Sequence, residues 1–303
     1  MDLDNKQAAH IANFVEFAYN MFDVGGLTPP PDPGIAAAGY ELLYYIDAFD
    51  FDTKVFYGYV ASSVANPGDI IIAIRGTRHP AEWVLDFLAI PVPFTAFPSA
   101  GFVALGFQSI FDTFEFIDRN GASITLSSAI AAIAAATPIK QVTVIGHSLG
   151  SALATLTAAD IALNNLSGAR NGLQIYTFAS PRVGLLDFAA AFNAAVPTSF
   201  RVWNTLDIVP EVPPFPYIHV SGLSDAIVQN EQQLSTLVFS PVCEHVLTSY
   251  LWLLDAADFP LPADCSQATH PALLAHAAHA GVAPAAVVPN SARVLRKAMA
   301  GRL

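Results

Sequence analysis

Apolar and polar positions alternate along this chain with two different periods, which predicts an ordered succession of helices and strands. Near residues 6–21 the apolar side chains recur at helical spacing, which predicts an amphipathic first helix. A proline-rich run at 28–34 ends that helix. Three strand-like runs rich in β-branched and aromatic residues follow at Tyr40–Ile46, Val55–Ala61 and Ile70–Ile74.

Helical and strand-like segments then alternate for the rest of the ordered pattern. We predict helices at 106–118, 122–135, 149–163, 185–195 and 242–254, and strands at 141–146, 173–178 and 200–204. Such alternation is typical of an α/β fold with a central, mostly parallel sheet flanked by helices on both faces.

Composition narrows the class of protein. The 303 residues are 53% hydrophobic and 13% charged, which is enough for one large core, so we predict a single domain over 1–303. A low-complexity tail at about 266–303 is expected to be peripheral to it. The net charge of −12 argues against a nucleic-acid partner, since phosphate backbones are bound by clustered Lys and Arg.

The first residues have neither a basic stretch nor a continuous apolar stretch, so no Sec signal is expected in this sequence. No apolar run reaches the roughly 18 residues of a membrane span. These features predict a soluble protein, with a secreted and a cytoplasmic location both left open.

No spacing of cysteines and histidines in the sequence resembles a zinc site. Cys243 and Cys265 are separated widely enough for a disulfide, but two unpaired thiols fit the sequence equally well. The histidines His270, His276 and His279 lie in the Ala-rich tail and are read as helix residues rather than a metal cluster.

The strongest chemical signal is the run GHSLG at Gly146–Gly150. A β-branched strand leads directly into it, and a helix-forming run begins directly after it. This strand–turn–helix context is that of a nucleophile elbow, in which a sharp turn exposes a serine at the edge of the sheet. The context therefore predicts that Ser148 is a nucleophile rather than part of an ordinary glycine turn.

A serine nucleophile needs an imidazole to remove its proton and a carboxylate to orient the imidazole. Asp207 follows the strand at 200–204, at the carboxyl end where catalytic groups gather in α/β sheets. In the order Ser, acid, His, the base is then His245 at a helix start or His219 in a strand-like stretch. We favour His245, because a helix start can aim its side chain from a loop toward the sheet edge.

With these residues the chain resembles the class 3 lipases, the family of the fungal triacylglycerol lipases, over about residues 40–255. Ser148, Asp207 and His245 match the nucleophile, acid and base of that family. Besides the elbow, the motifs that carry the resemblance are RGT at 75–77 with Trp83 and Asp86, YTFASPRVG at 176–184, NTLDIVP at 204–210, and Tyr250 and Leu251 after His245.

The resemblance implies an α/β-hydrolase fold and an oxyanion hole. It places Thr77 in that hole beside the backbone N–H of Leu149, and the alternative role for Thr77 is a helix N-cap. One departure is Ala104, where family members often carry His; that position is not catalytic, so the triad assignment is unaffected.

The segment at about 78–90 is predicted to be a short lid helix. Trp83, Phe87 and Ile90 form an apolar stripe that covers the site in water and turns toward lipid at an interface. The alternative is a fixed surface helix that packs Trp83 into the core.

Together these features predict a serine ester hydrolase that needs no cofactor, most consistently a lipase that cleaves acylglycerols at an oil–water interface. An esterase on short-chain, feruloyl, aryl or polyester substrates is the alternative within this class. A non-catalytic lipid-binding module is the alternative outside it.

Overall fold

A computed structural model describes residues 3–50, 52–78, 88–220, 223–227 (backbone only), 236 and 240–266. The chain opens with helix α1, Asn5–Val24, which begins where the Asp4 carboxylate accepts the Gln7 N–H at 3.0 Å. A short helix α2, Pro33–Ala37, begins within the proline-rich run, and Asp32 caps it in the same way. Helix α1 ends at Val24 before this run, with Gly25 as its C-cap, and the run starts the next helix because proline is well suited to the first turn.

Within the described part of the chain, the strands of the main sheet lie in the order β11-β10-β9-β8-β3-β2-β1-β6-β7, numbered along the chain. They are β1 Tyr40–Asp50, β2 Thr53–Ser63, β3 Asp69–Ile74, β6 Glu115–Asp118, β7 Ser123–Ile124, β8 Gln141–His147, β9 Leu173–Phe178, β10 Ser199–Asn204 and β11 Leu223–Ile227. Strands β3 and β8–β11 run parallel, whereas β2, β1, β6 and β7 add antiparallel pairings on one side. Two short strands, β4 Pro91–Pro93 and β5 Phe102–Ala104, pair separately.

Helices connect and cover these strands. They are α3 Leu105–Phe111, α4 Leu126–Ala136, α5 Leu149–Leu163, α6 Leu186–Ala195, α7 Pro241–His245 and α8 Leu247–Leu254. No helix among the described residues has the length and hydropathy needed to cross a membrane.

The sheet carries apolar side chains on both faces. In β3, Ile70, Ile72 and Ile74 pack into one buried cluster, which includes α3 and α5. Ile71 and Ala73, which alternate with them, pack into a second cluster with α1 and α8. Because successive side chains of a strand point to opposite faces, helices must cover both sides of the sheet. The predicted α/β class is thereby confirmed.

Two predicted helices are wrong in part. Residues 115–118 form β6 rather than the end of the helix predicted at 106–118, because Phe116 pairs opposite Ile46 of β1 and is fully buried there. Residues 123–124 likewise form a strand, so the helix predicted from 122 begins at Leu126. Cross-strand pairing overrides the local helical period in both places, with the distant β1 for β6 and with the neighbouring β6 for residues 123–124.

Candidate active site

Ser148 lies in the sharp turn between β8 and α5. Its φ of 57° falls in the left-handed region, which is strained for a residue with a side chain. A Cβ on Gly146 would lie 2.2 Å from the Gly150 carbonyl oxygen, and one on Gly150 would lie 2.3 Å from the Ile74 carbonyl oxygen. Both glycines of the motif are therefore required by close backbone packing.

The structure brings Ser148, His245 and Asp207 together. The Ser148 hydroxyl lies 2.8 Å from His245 Nε2, and His245 Nδ1 lies 2.8 Å from Asp207 Oδ2. All three residues are buried. Since a carboxylate only accepts, Nδ1 carries the proton, and Nε2 is left to accept from the serine.

His245 does not start a long helix, as predicted, but occupies a break between two short ones. Helix α7 ends at His245, and Val246 has an extended ψ of 140° before α8 begins. The predicted continuous helix at 242–254 is therefore wrong. The break releases the side chain from the helical path and lets it reach across to β8.

His219, the alternative base, contacts other groups. Its Nε2 lies 2.8 Å from the Pro210 carbonyl oxygen, and burial together with Arg201 lowers its pKa to about 3. A neutral ring donating to a backbone carbonyl has a structural role in this loop.

The Asp207 carboxylate is held by two further donors. The Val209 N–H donates to Oδ1 at 3.0 Å, and the Tyr250 hydroxyl donates to Oδ2 at 2.8 Å. Tyr250 in turn accepts the Asn204 N–H at 2.9 Å. Burial and the nearby Asp207 charge raise the pKa of Tyr250 well above its usual value, so the hydroxyl remains a donor.

A buried hydrogen-bond chain lies beneath the nucleophile. His147 Nε2 donates to the His245 carbonyl oxygen at 2.8 Å, which leaves Nδ1 to accept from the Tyr19 hydroxyl at 2.9 Å. The Tyr19 oxygen accepts the Gly76 N–H at 2.9 Å. Burial and the neighbouring His245 lower the pKa of His147 well below its usual value, consistent with a neutral ring.

Sequence reasoning missed Tyr19 and His147 as supporting residues. Tyr19 falls among the apolar positions of the first helix, so its place on the buried face was the only available signal. His147 lies inside the motif, but only the fold shows that its ring contacts the backbone of the base.

Thr77 follows Gly76, which lies against the nucleophile: a Cβ on Gly76 would be 2.8 Å from Ser148 Cβ. The Arg75 guanidinium donates to the Gly76 carbonyl oxygen at 2.7 Å. In a trans peptide the N–H points opposite to the carbonyl, so this bond directs the Thr77 N–H away from Arg75. Thr77 Oγ1 is buried and has no hydrogen-bond partner among the described residues.

Leu149, the other predicted oxyanion residue, is the first residue of α5. The first N–H groups of a helix have no partner within the helix, and the N-terminus favours negative charge. The Leu149 N–H thus directly follows Ser148 in the chain. The buried Thr77 hydroxyl lies on a second segment, next to the Gly76 that packs against Ser148.

Most of the predicted lid lies outside the described residues, Trp83 and Phe87 included. Ile90 is described: its side chain is 54% exposed, and its carbonyl oxygen accepts the Leu105 N–H at 2.8 Å. The tail beyond Ser266, with its three histidines, also lies outside the described part of the chain.

Cys243 and Cys265 form a disulfide. The bond joins α7, which ends at His245, to a 3₁₀ turn at Ala263–Cys265. Of the two possibilities that the sequence left open, the structure has the bonded one.

A family model for class 3 lipases matches residues 71–217. The match covers Thr77, Ser148 and Asp207 and stops before His245. Over these residues the chain is similar to the class 3 lipases. Its resemblance to that family, expected from the motifs, is confirmed.

Curated relatives of this chain include phospholipases from rice, Oryza sativa. Phospholipase A1-II 6 from Oryza sativa subsp. japonica is 30% identical over 203 residues, which are 60% of this chain and 49% of the relative. Phospholipase A1-II 3 from Oryza sativa subsp. indica is 31% identical over 237 residues, 68% of this chain and 56% of the relative. The chain thus spans about half the length of these relatives.

Solved structures of fungal lipases share the fold. A lipase from Rhizopus microsporus var. chinensis superposes with a TM-score of 0.61 at 25% identity, covering 75% of each chain. A triacylglycerol lipase described as having a serine protease triad as its catalytic centre superposes with a TM-score of 0.60 at 25% identity, covering 75% of this chain and 81% of that one. These neighbours confirm the predicted α/β-hydrolase fold.

Proposed function

We propose that this protein hydrolyses carboxylic esters of lipids, with Ser148 as nucleophile, His245 as base and Asp207 as the acid that orients it. The observation that carries the proposal is the continuous hydrogen-bonded series from the Ser148 hydroxyl through His245 to Asp207, with both distances at 2.8 Å. Nucleophile, base and orienting group within hydrogen-bonding reach are the signature of covalent catalysis by serine.

In the proposed reaction the Ser148 oxygen attacks the ester carbonyl while its proton moves to His245 Nε2. The resulting imidazolium is stabilised by Asp207 and returns the proton to the leaving alcohol. The carbonyl oxygen, now an alkoxide, accepts from the backbone N–H groups of Leu149 and Thr77 and from the Thr77 hydroxyl. Water then clears the acyl-enzyme by the same route.

Exposed apolar side chains support a lipid substrate. Leu186, Ile208 and Phe215 are 69%, 55% and 87% exposed, and Ile90 is also exposed. They lie on the segments that follow the carboxyl ends of β9, β10 and β3, the edge that carries Ser148. An exposed apolar surface gains free energy when it leaves water, as it does against a lipid surface.

Among lipid esters we favour acylglycerols as the substrates. The lipases among the structural neighbours and the phospholipases A1 among the relatives both support a lipid ester as substrate. A short-chain, feruloyl or polyester esterase is the second candidate. A non-catalytic lipid-binding module would retain the fold without reacting.

A fluorophosphonate probe tests the catalytic role directly, because it labels only an activated serine. We expect the native protein to be labelled and Ser148→Ala to remain unlabelled. Ser109→Ala changes an exposed serine on α3 and should label like the native protein. A native protein that does not react would favour the binding module.

Substrate class is separated by comparing emulsified triolein, phosphatidylcholine vesicles, feruloyl esters and nitrophenyl esters of increasing chain length. We expect emulsified long-chain lipid to be preferred over soluble short esters, and the reverse preference would favour the esterase. Trp83→Ala extends the comparison to the lid hypothesis, since it should reduce activity on the emulsion more than on the soluble ester. Equal losses with a lowered Tm would mean that Trp83 is a core residue.

A further inference from the structure

Three metal-ligating side chains meet where the first helix packs against the last described one. They are His10 on α1, Asp255 at the carboxyl end of α8, and Asp258 just beyond it. His10 Nε2 lies 3.5 Å from Asp258 Oδ2, and one ligand atom from each residue falls within 4.8 Å of the other two. Neither the family match nor the proposed reaction uses these residues.

Asp255 is the unusual member of this cluster. It is only 5% exposed, and its Oδ2 has no hydrogen-bond donor among the described residues. Among the described residues Lys6 Nζ forms an ion pair with this oxygen at 3.8 Å, which is beyond hydrogen-bonding distance. A buried carboxylate oxygen without a donor is costly, because burial removes its water without a replacement. A bound cation would give this oxygen the direct contact that Lys6 does not make.

The donor atoms indicate which cation fits. Calcium takes six to eight oxygen ligands, whereas imidazole nitrogen suits zinc and its neighbours in the first transition row. Ligands at about 2.1 Å from a tetrahedral zinc ion lie about 3.4 Å apart. The separation of 3.5 Å between His10 and Asp258 already matches that spacing. Both side chains are more than 45% exposed, so they can close further around an ion.

We propose that His10, Asp255 and Asp258 bind a zinc-class divalent ion, with water as the fourth ligand, and that the ion ties α1 to α8. Helix α1 carries Tyr19 and α8 carries Tyr250, the two tyrosines that hold the candidate active site from below. The ion stabilises the packing of these helices and takes no part in the reaction. The inference stands whether or not the proposed esterase activity is found.

Zinc titration of the chelator-treated, full-length protein by calorimetry tests the site. We expect one saturable equivalent, and a thermal unfolding midpoint that rises with added zinc because the ion binds only the folded state. Removing a residue that only hydrogen-bonds to a metal ligand lowers metal affinity about 10–100-fold. His10→Ala and Asp258→Asn remove proposed ligands themselves, so each should weaken binding at least about 100-fold. Cobalt should give tetrahedral visible absorption that His10→Ala abolishes.

Two variants separate this site from unspecific binding. Asp52→Asn removes an exposed carboxylate elsewhere and should leave zinc affinity unchanged. Lys6→Met removes the competing cation beside Asp255 and should strengthen binding, an effect that a purely structural contact would not produce.

Three results would overturn the proposal. One is the absence of saturable binding, which would leave His10 and Asp258 as an ordinary surface ion pair. Another is binding that survives His10→Ala but is lost when the tail histidines His270, His276 and His279 are replaced. The third is a calcium affinity equal to that for zinc.

Discussion

The Tyr250 hydroxyl donates to Asp207 Oδ2 at 2.8 Å, the same oxygen that accepts from His245. Because Tyr250 itself accepts the Asn204 N–H, its proton can point only toward the carboxylate. The side chain of Asn204 also donates to the Glu244 carbonyl oxygen at 2.8 Å. The segments that carry the candidate acid and base are thus joined to each other by buried hydrogen bonds.

Tyr250→Phe should therefore lower kcat by about 10–100-fold with little change in KM, since a hydrogen bond to a charged group contributes about 1.5–3 kcal/mol. Steady-state kinetics on a soluble ester measures both parameters. Tyr59→Phe is the matched control, because that buried hydroxyl donates to the Phe14 carbonyl oxygen away from the site. Equal kcat losses in the two variants would show that Tyr250 acts only through stability.

The choice of base is tested by a pair of variants. His245→Ala should be nearly inactive because it removes the acceptor of the Ser148 proton, whereas His219→Ala should retain substantial turnover. Circular dichroism confirms that both variants fold. The opposite pattern would transfer the role of base to His219.

Thr77→Val tests the side chain in the proposed oxyanion hole. Because Oγ1 is buried without a partner among the described residues, we expect it to serve the alkoxide and its loss to reduce kcat about 100-fold. Thr77→Ser should restore most of the rate. Unchanged kinetics with a lowered Tm would instead support the helix-capping role.

Because the Asp47 carboxyl is buried, we predict that the free energy of unfolding falls as pH rises. The residue is 1% exposed, and burial raises its pKa to about 7, with Glu115 adding to the shift and Lys54 opposing it. Between the unfolded value near 4 and the folded value near 7, only the folded state holds the proton. Stability from this group is therefore complete below about pH 4 and lost by about pH 7, with an upper bound of roughly 4 kcal/mol.

Asp47→Asn removes the titrating group, so urea unfolding should show a smaller loss of stability from pH 5 to pH 8 than in the native protein. Glu115→Gln should reduce the loss only partly, because it removes a neighbouring charge and leaves Asp47 buried. Parallel pH profiles for the native protein and Asp47→Asn would contradict this account.

Reduction of the Cys243–Cys265 disulfide should destabilise the protein. A bond that closes a loop of this length contributes about 3 kcal/mol by restricting the unfolded chain. Because α7 also carries His245, activity should fall with stability.

Urea unfolding with and without dithiothreitol measures the loss of stability. The Cys243→Ser, Cys265→Ser double variant should match the reduced protein and be insensitive to the reductant; identical midpoints in all samples would show that the bond contributes nothing.

The order of elements and the nucleophile elbow could be predicted from the sequence because their signals are local. The period of apolar positions predicted α5 and β9 to the residue, and the strand, glycine turn and helix around Ser148 are contiguous. Asp207 was accessible for a related reason, since it directly follows a strand whose carboxyl end faces the site. Such features need only neighbouring residues to be recognised.

Contacts between distant parts of the chain were decided by the tertiary structure. The sequence favoured His245 over His219, but the path by which His245 reaches Ser148 depends on the break at Val246, and no local pattern marks that break. Tyr19 reaches His147 across 128 positions of sequence, and β6 forms because β1 offers it a pairing edge. A hydrophobic period records which face of an element is buried, but it carries no information about which distant group that face will contact. Those partners, and the disulfide that the cysteines alone left open, exist only once the chain has folded.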